Sequence, residues 1–231
     1  MAVYAIGDLH LCFSRPEKDM TVFGHVWKNR EKRLLKNVRK VGPEDVLLLL
    51  GDHSWGRNLA ECRTDLEYIE NLPGKKVLLR GNHDRFWDAK KTDRLNREYA
   101  GRLFFLQNNF YPYQDYAFVG TKGIAFENLC EYEQFEKLRD REEQRLLESF
   151  QAAQTAGFRK FIMLLHFPPT SIGEQESVFT KIAEDYGAEQ VIYAHCHGID
   201  RYNDSFQGEV RNVFYRLASG DYLKFKPVRI L

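Results

Sequence analysis

Six of the seven histidines in this chain, His10, His53, His83, His166, His195 and His197, close an apolar run; His25 is the exception. The same run-ends carry Asp8 in AIGDLH, Asp52 in LLLLGDH, and Asn82 with Asp84 in LLRGNHD. Imidazoles, carboxylates and amides are groups that move protons and ligate metals. The densest stretch, VIYAHCHG, sets Cys196 between His195 and His197. Three chemistries fit it: a zinc thiolate, a redox thiol beside two bases, or two imidazole ligands around a bystander. One histidine after an apolar run is ordinarily a hydrogen-bonded loop residue. The joint pattern differs, because burying so many polar groups together is costly unless something satisfies them. Metal ions do so. Asp8, His10, Asp52, Asn82, His166, His195 and His197 are too many ligands for one four- to six-coordinate ion. Two ions sharing one carboxylate use them all, and two ions ~3.5–4 Å apart clamp a phosphoryl group.

Strands must bring these residues together. The runs Val3 to Ile6, Val46 to Leu50, Lys76 to Leu79, Phe161 to Leu165 and Val191 to Ala194 are apolar at consecutive positions, which predicts buried strands. The carboxyl ends of strands in an open α/β sheet converge on one crevice. Amphipathic segments from Lys28 to Val41, Cys62 to Asn71 and Glu131 to Ala156 predict helices, with Gly157 ending the last. The aromatic stretch FFLQNNFYPYQDYAFVGTKG predicts a strand pair, and VFYRLASGDYLKFKPVRI two more strands around a Ser-Gly-Asp turn. The expectation is one α/β domain over residues 1–231, with parallel strands early and antiparallel strands late.

Composition narrows the class. A hydrophobic content of 43% and a charged content of 29% describe a soluble globular protein, and a net charge of +1 argues against a generic nucleic-acid binder. The basic segment KNREKRLLKNVRK carries Leu34, Leu35 and Val38 at helical spacing, so it reads as a surface helix with a solvated basic face. Cys12, Cys62, Cys130 and Cys196 form no CxxC pair, which suits reduced thiols in the cytoplasm. No apolar stretch approaches the ~20 residues that span a bilayer. The start MAVYAIGDLHL lacks the basic opening of a signal peptide. A cytoplasmic location without membrane contact is expected.

In their order, GDLH, GD, GNHD, a lone histidine and H-x-H span residues 7 to 198 and resemble the calcineurin-like metallophosphoesterase superfamily. The resemblance implies two mixed β-sheets packed as a sandwich and flanked by helices. It implies that Asp8, His10 and His197 hold one metal, that Asn82, His166 and His195 hold a second, and that Asp52 bridges them. His83 would be the non-ligand histidine beside the leaving group. The implied activity is hydrolysis of a small phosphorylated substrate by a hydroxide bridging two metal ions. A histidine-rich ligand set favours divalent or trivalent manganese, iron, zinc or cobalt over magnesium. In extended backbone alternate side chains face opposite ways, so Cys196 is expected to point away from the ions that His195 and His197 face. No close cysteine partner supports a zinc thiolate.

The chain departs from the family pattern after Asp52. Many members place there an acidic residue that steadies the catalytic histidine, but GDHSWGRN puts Trp55 near that position. His83 is therefore expected to be oriented by a backbone carbonyl or by Asp84, and phosphoprotein-phosphatase activity is disfavoured. His53, next to Asp52, is expected to face away and be structural. Arg85 is positioned to contact a phosphate oxygen; Trp87 either stacks on a ring of the substrate or packs with Phe86 beneath the site. Two other functions stand beside the hydrolase: a catalytically silent metal-binding scaffold and a nuclease acting on phosphodiesters. The intact ligand positions argue against the first, and the lack of room for a strand-tracking basic groove against the second.

Overall fold

The run VLLLL at Val46–Leu50 has no polar alternation because both its faces are buried. Leu47 and Leu49 enter one core, while Val46, Leu48 and Leu50 enter another. The computed structural model describes residues 1–127 and 131–231. In it β1 (Val3–Ile6), β2 (Val46–Leu50), β3 (Lys75–Leu79) and β4 (Leu103–Leu106) run parallel in one sheet. A second sheet holds β5 (Phe110–Tyr113), β6 (Tyr116–Thr121), β7 (Lys160–Leu165), β8 (Ala188–Tyr193), β9 (Gly208–Val210) and β10 (Val213–Leu217), in the order β5-β6-β7-β8-β10-β9. The short β11 (Val228–Arg229) returns to the first sheet, antiparallel to β1.

Helices cover the outer faces. Leu34 of α1 (Arg30–Asn37), Leu66 and Ile69 of α2 (Leu59–Glu70) and Leu95 of α3 (Thr92–Glu98) share a core with Ile6, Leu49 and Leu78. Leu146 and Phe150 of α4 (Tyr132–Thr155) and Phe179 and Ile182 of α5 (Val178–Asp185) share another with Val119, Met163 and Val191. The sixth helix, α6 (Ile199–Asn203), is a short turn beyond β8. Between the sheets Val3, Ala5 and Leu48 meet Phe118, Ile162 and Ile192. The architecture is the four-layer sandwich of mixed sheets that the resemblance implied. The helix starts are locally encoded: the Asn58 side chain accepts from Glu61 N, and Ser177 with Thr180 forms a capping box.

Some expectations change. The aromatic stretch is not one strand pair: β4 belongs to the first sheet, while β5 and β6 form a hairpin in the second. The chain changes sheets at Asn108, whose φ is +60°. The tail forms the two strands expected around the turn, but in different sheets. Strand β10 is parallel to β8 and β11 joins β1, so the Ser219–Gly220–Asp221 turn leads between sheets. Late strands are consequently parallel in the main, with antiparallel pairing at β5, β9 and β11. The helix expected from Lys28 begins at Arg30 and tightens into a 3-10 turn at Val38–Lys40. Cys130 lies outside the described residues, among which no helix is long and apolar enough to cross a membrane.

Candidate metal centre

The parallel strands of both sheets end at one place. Asp8 and His10 follow β1, Asp52 follows β2, and Asn82 and His83 follow β3; His166 follows β7, and His195 and His197 follow β8. Gly7 N donates to Ala218 O at 2.7 Å, tying the first sheet to the second just beneath them. The strands stop abruptly there. Asp8, His10, Asp52 and His195 have φ values of 56°, 44°, 54° and 69°, a region that L-residues other than Asn and Asp seldom adopt. Close approach also requires glycine: a Cβ on Gly51 would lie 2.5 Å from His166 Nδ1, and one on Gly81 would collide with the Asp52 carboxylate.

His195 sits in a left-handed turn, not in the extended backbone expected across H-x-H. The backbone there is not extended, so strand alternation does not govern it. Cys196 nevertheless points away, into the core it shares with Val191 and Tyr215. Burial pushes its thiol up to about 11, which keeps it protonated and unreactive.

The seven expected ligands come together in two clusters. Asp8, His10 and His197 form one; Asp52, His166 and His195 form the other, with ligand atoms in each within 4.8 Å of one another. Asn82 Oδ1 joins the second, 2.8 Å from His166 Nε2. Asp52 Oδ2 lies between them, 3.7 Å from His10 Nε2 and 3.5 Å from His166 Nε2. Its other oxygen accepts the His83 N–H at 2.8 Å. Asp8 Oδ1, Asp52 Oδ2, both His10 ring nitrogens and His195 Nδ1 are buried without a hydrogen-bond partner among the described residues. Leaving such atoms bare costs ~1–3 kcal/mol each, and cations held by them remove the cost. The mixture of imidazole, carboxylate and amide donors fits transition-metal ions.

Charge is distributed unevenly over the centre. Burial holds His10 down to about 3 and His195 to about 2, so both are neutral. Burial acts the same way on His166, but the Asp52 and Asp8 carboxylates overcome it and hold that ring at about 9. His197 is likewise raised against its burial, by Asp8 and Asp221. Burial pushes Asp8 up to about 6 despite the pull of His197 and His166, whereas at Asp52 the charge and hydrogen bond of His166, with His10 and His83, outweigh burial and hold it well below its usual range. Without metal, the proton on His166 offsets part of the carboxylate charge.

Outer partners aim the rings. His166 Nδ1 faces Leu50 O at 2.8 Å, and His197 Nδ1 faces Asp221 Oδ1 at 2.9 Å. Tyr202 OH donates to the other Asp221 oxygen at 2.5 Å. In both histidines Nε2 is left toward the centre, as a ligand requires. Asp221 and Tyr202 escaped the sequence reading because SGD resembles a plain turn. Asp221 nonetheless follows the apolar run of β10, the same signal that marks Asp8 and Asp52.

Asp84 does not orient His83. It accepts from the backbone N–H groups of Asp52, His53 and Gly81 and pairs with His53 Nδ1 at 2.9 Å. His53 is fully buried and structural, as expected. The His83 ring lies against Trp55 instead, centroids 4.3 Å apart, with Nε2 4.0 Å from Asp52 Oδ2. Burial lowers its pKa, partly offset by Asp52. Trp87 is buried, donates Nε1–H to Thr92 Oγ1 at 3.0 Å and packs edge-on against Phe105, which settles its alternatives in favour of packing. Arg85 is exposed beside His83.

Residues 1–198 match the calcineurin-like phosphoesterases, and the chain belongs to that family. A 60-residue stretch is 43% identical to the Gene 66 protein of Mycobacterium phage D29, covering 24% of this chain and 30% of that protein. Among solved structures it is similar to phosphopantetheinyl hydrolase from Mycobacterium tuberculosis, with a TM-score of 0.55 and 12% identity over 100% of this chain and 95% of that one. A protein of unknown function from Aquifex aeolicus gives a TM-score of 0.53 and 19% identity over 99% of this chain and 95% of the other. At such identities these two likenesses show the fold alone.

Proposed function

We propose that the protein hydrolyses a small phosphate ester using two transition-metal ions, one held by Asp8, His10 and His197, the other by Asn82, His166 and His195, with Asp52 shared. The observation that supports this reading is the set of orphaned ligand atoms on Asp8, His10, Asp52 and His195 at the convergence of both sheets. When bound, such ions supply Lewis acidity, activating water and neutralising charge that develops on the phosphoryl group. Asp52 keeps one oxygen on the His83 N–H and presents the other to both clusters. Leu50 O and Asp221 hold the His166 and His197 rings in register. His83, set against Trp55, donates a proton to the departing oxygen.

The test is purified protein stripped of metal, reloaded with manganese and screened against nucleotides, cyclic nucleotides, sugar phosphates, phosphopeptides, short RNA and a phosphopantetheinyl ester, the last because of the Mycobacterium tuberculosis structure. Metal analysis of Asp52→Asn should show stoichiometry and turnover falling together. Two tightly bound ions and full turnover in that variant would overturn the shared-ligand role.

A further inference from the structure

The surface on either side of Trp55 and His83 has opposite character. One side is a groove of about 490 Å³ walled by Met20, Phe23, Val26 and Trp27, its lining shared by His10 and His197. Phe23 is 71% exposed, and its neighbour Val22 81%. The other side is a cavity of about 160 Å³ lined by Arg15, Lys18, Arg57 and Arg85, with no carboxylate in its wall. Arg15 is paired with Glu17 at 2.6 Å and Arg57 with Glu61 at 3.1 Å. Lys18 and Arg85 have no carboxylate partner among the described residues; the Lys18 ammonium lies 5.7 Å over the Trp55 ring.

Four cations around one small cavity repel each other, and the two left unpaired favour an anion between them. Trp55 and His83 line both spaces, so a ligand filling both passes the metal centre. The lining of the groove includes the candidate ligands His10 and His197, which makes its occupant the organic part of whatever reacts there.

We propose that the substrate has two unlike ends: a ring-bearing or apolar organic group seated on Phe23 and Val26, and a second anionic group, beyond the reacting phosphate, held by Lys18 and Arg85. This rests on the phosphoesterase reading above and names the substrate class for that site. A bare sugar phosphate lacks the first end and a simple aryl phosphate the second.

The test uses three ligands: a nucleoside 3′,5′-bisphosphate with both ends, a nucleoside 5′-monophosphate with the ring alone, and propanediol bisphosphate with the second anion alone. Binding is read on the metal-loaded protein by tryptophan fluorescence, since Trp27 and Trp55 line the site. The bisphosphonucleoside should bind at least ~10-fold more tightly than either single-ended ligand, the scale of one charge-assisted hydrogen bond. Combining Lys18→Gln with Arg85→Glu should erase its advantage over the monophosphate. Phe23→Ser should erase its advantage over propanediol bisphosphate. Equal wild-type affinities for the three, or variants that weaken all three by one factor, overturn the proposal. Selective binding without turnover of any ester in the wider panel would instead overturn the phosphoesterase reading.

Discussion

At the residue scale, His83 and His166 face the same centre under different constraints. His166 is fixed at both ring nitrogens, by Leu50 O and by Asn82 with Asp52; His83 is held by ring contact with Trp55. A proton donor matters most when the departing alkoxide is basic. His83→Ala should therefore keep both ions yet lose ~10²–10⁴-fold in turnover on an alkyl phosphate. The loss should be clearly smaller on a nitrophenyl ester. Equal losses would assign His83 to holding phosphoryl oxygens, and loss of metal would make it a ligand. His166 carries a different consequence. Its folded pKa of about 9 lies above neutrality, and Asp8 sits at about 6, so at neutral pH a metal must displace the His166 proton. Metal affinity should rise with pH until His166 is deprotonated, above about 9. Calorimetry at neutral pH should show binding heats that depend on the buffer's ionisation enthalpy. Buffer-independent heats would remove His166 from the ligand set.

At the element scale, the turns after β2 and β3 are built as one unit around Asp84. Its carboxylate satisfies three backbone N–H groups and His53, all away from solvent. Burial alone would raise its pKa, but His53 holds it below the ordinary value. Asp84→Ala strands those donors together and should destabilise the fold by ~3–5 kcal/mol in denaturant unfolding. Asp84→Asn keeps an accepting oxygen and should cost less. A loss within experimental error for the alanine variant would show that water replaces the carboxylate, and the turns would then owe their shape to Gly51 and Gly81.

At the scale of the whole molecule, the candidate ligands join the two sheets: Asp8, His10, Asp52 and Asn82 come from the first, His166, His195 and His197 from the second. A cation binding both groups stabilises the native state because the unfolded chain does not gather them. At a free concentration a thousand times the dissociation constant the gain is ~4 kcal/mol. Thermal unfolding should shift to higher temperature on metal loading and back on chelation, with little shift in Asp52→Asn. An unchanged midpoint after verified loading would place the metal outside the junction of the sheets.

The centre was legible in the sequence to the extent that its chemistry is local. An apolar run buried on both faces announces a strand, and the polar residue at its end announces where the strand stops. Asp8, His10, Asp52, Asn82, His166, His195 and His197 were all visible in that way, as were the glycines beside them. What was not visible is which distant segment each run-end meets. Asp8 Oδ2 accepts the backbone N–H of His195, 187 residues away, and that bond accompanies the left-handed turn no alternation rule foresees. Aromatic runs likewise declare burial without naming a sheet, so one stretch that reads as a strand pair supplies β4 to the first sheet and the β5–β6 hairpin to the second. Asp84 could have served His83 or His53, and Asp221 was only a turn residue until β10 settled beside β8. Hydrophobic pattern and end residues are properties of a few consecutive positions, whereas partner choice depends on packing between two sheets, and only the assembled tertiary structure supplies it.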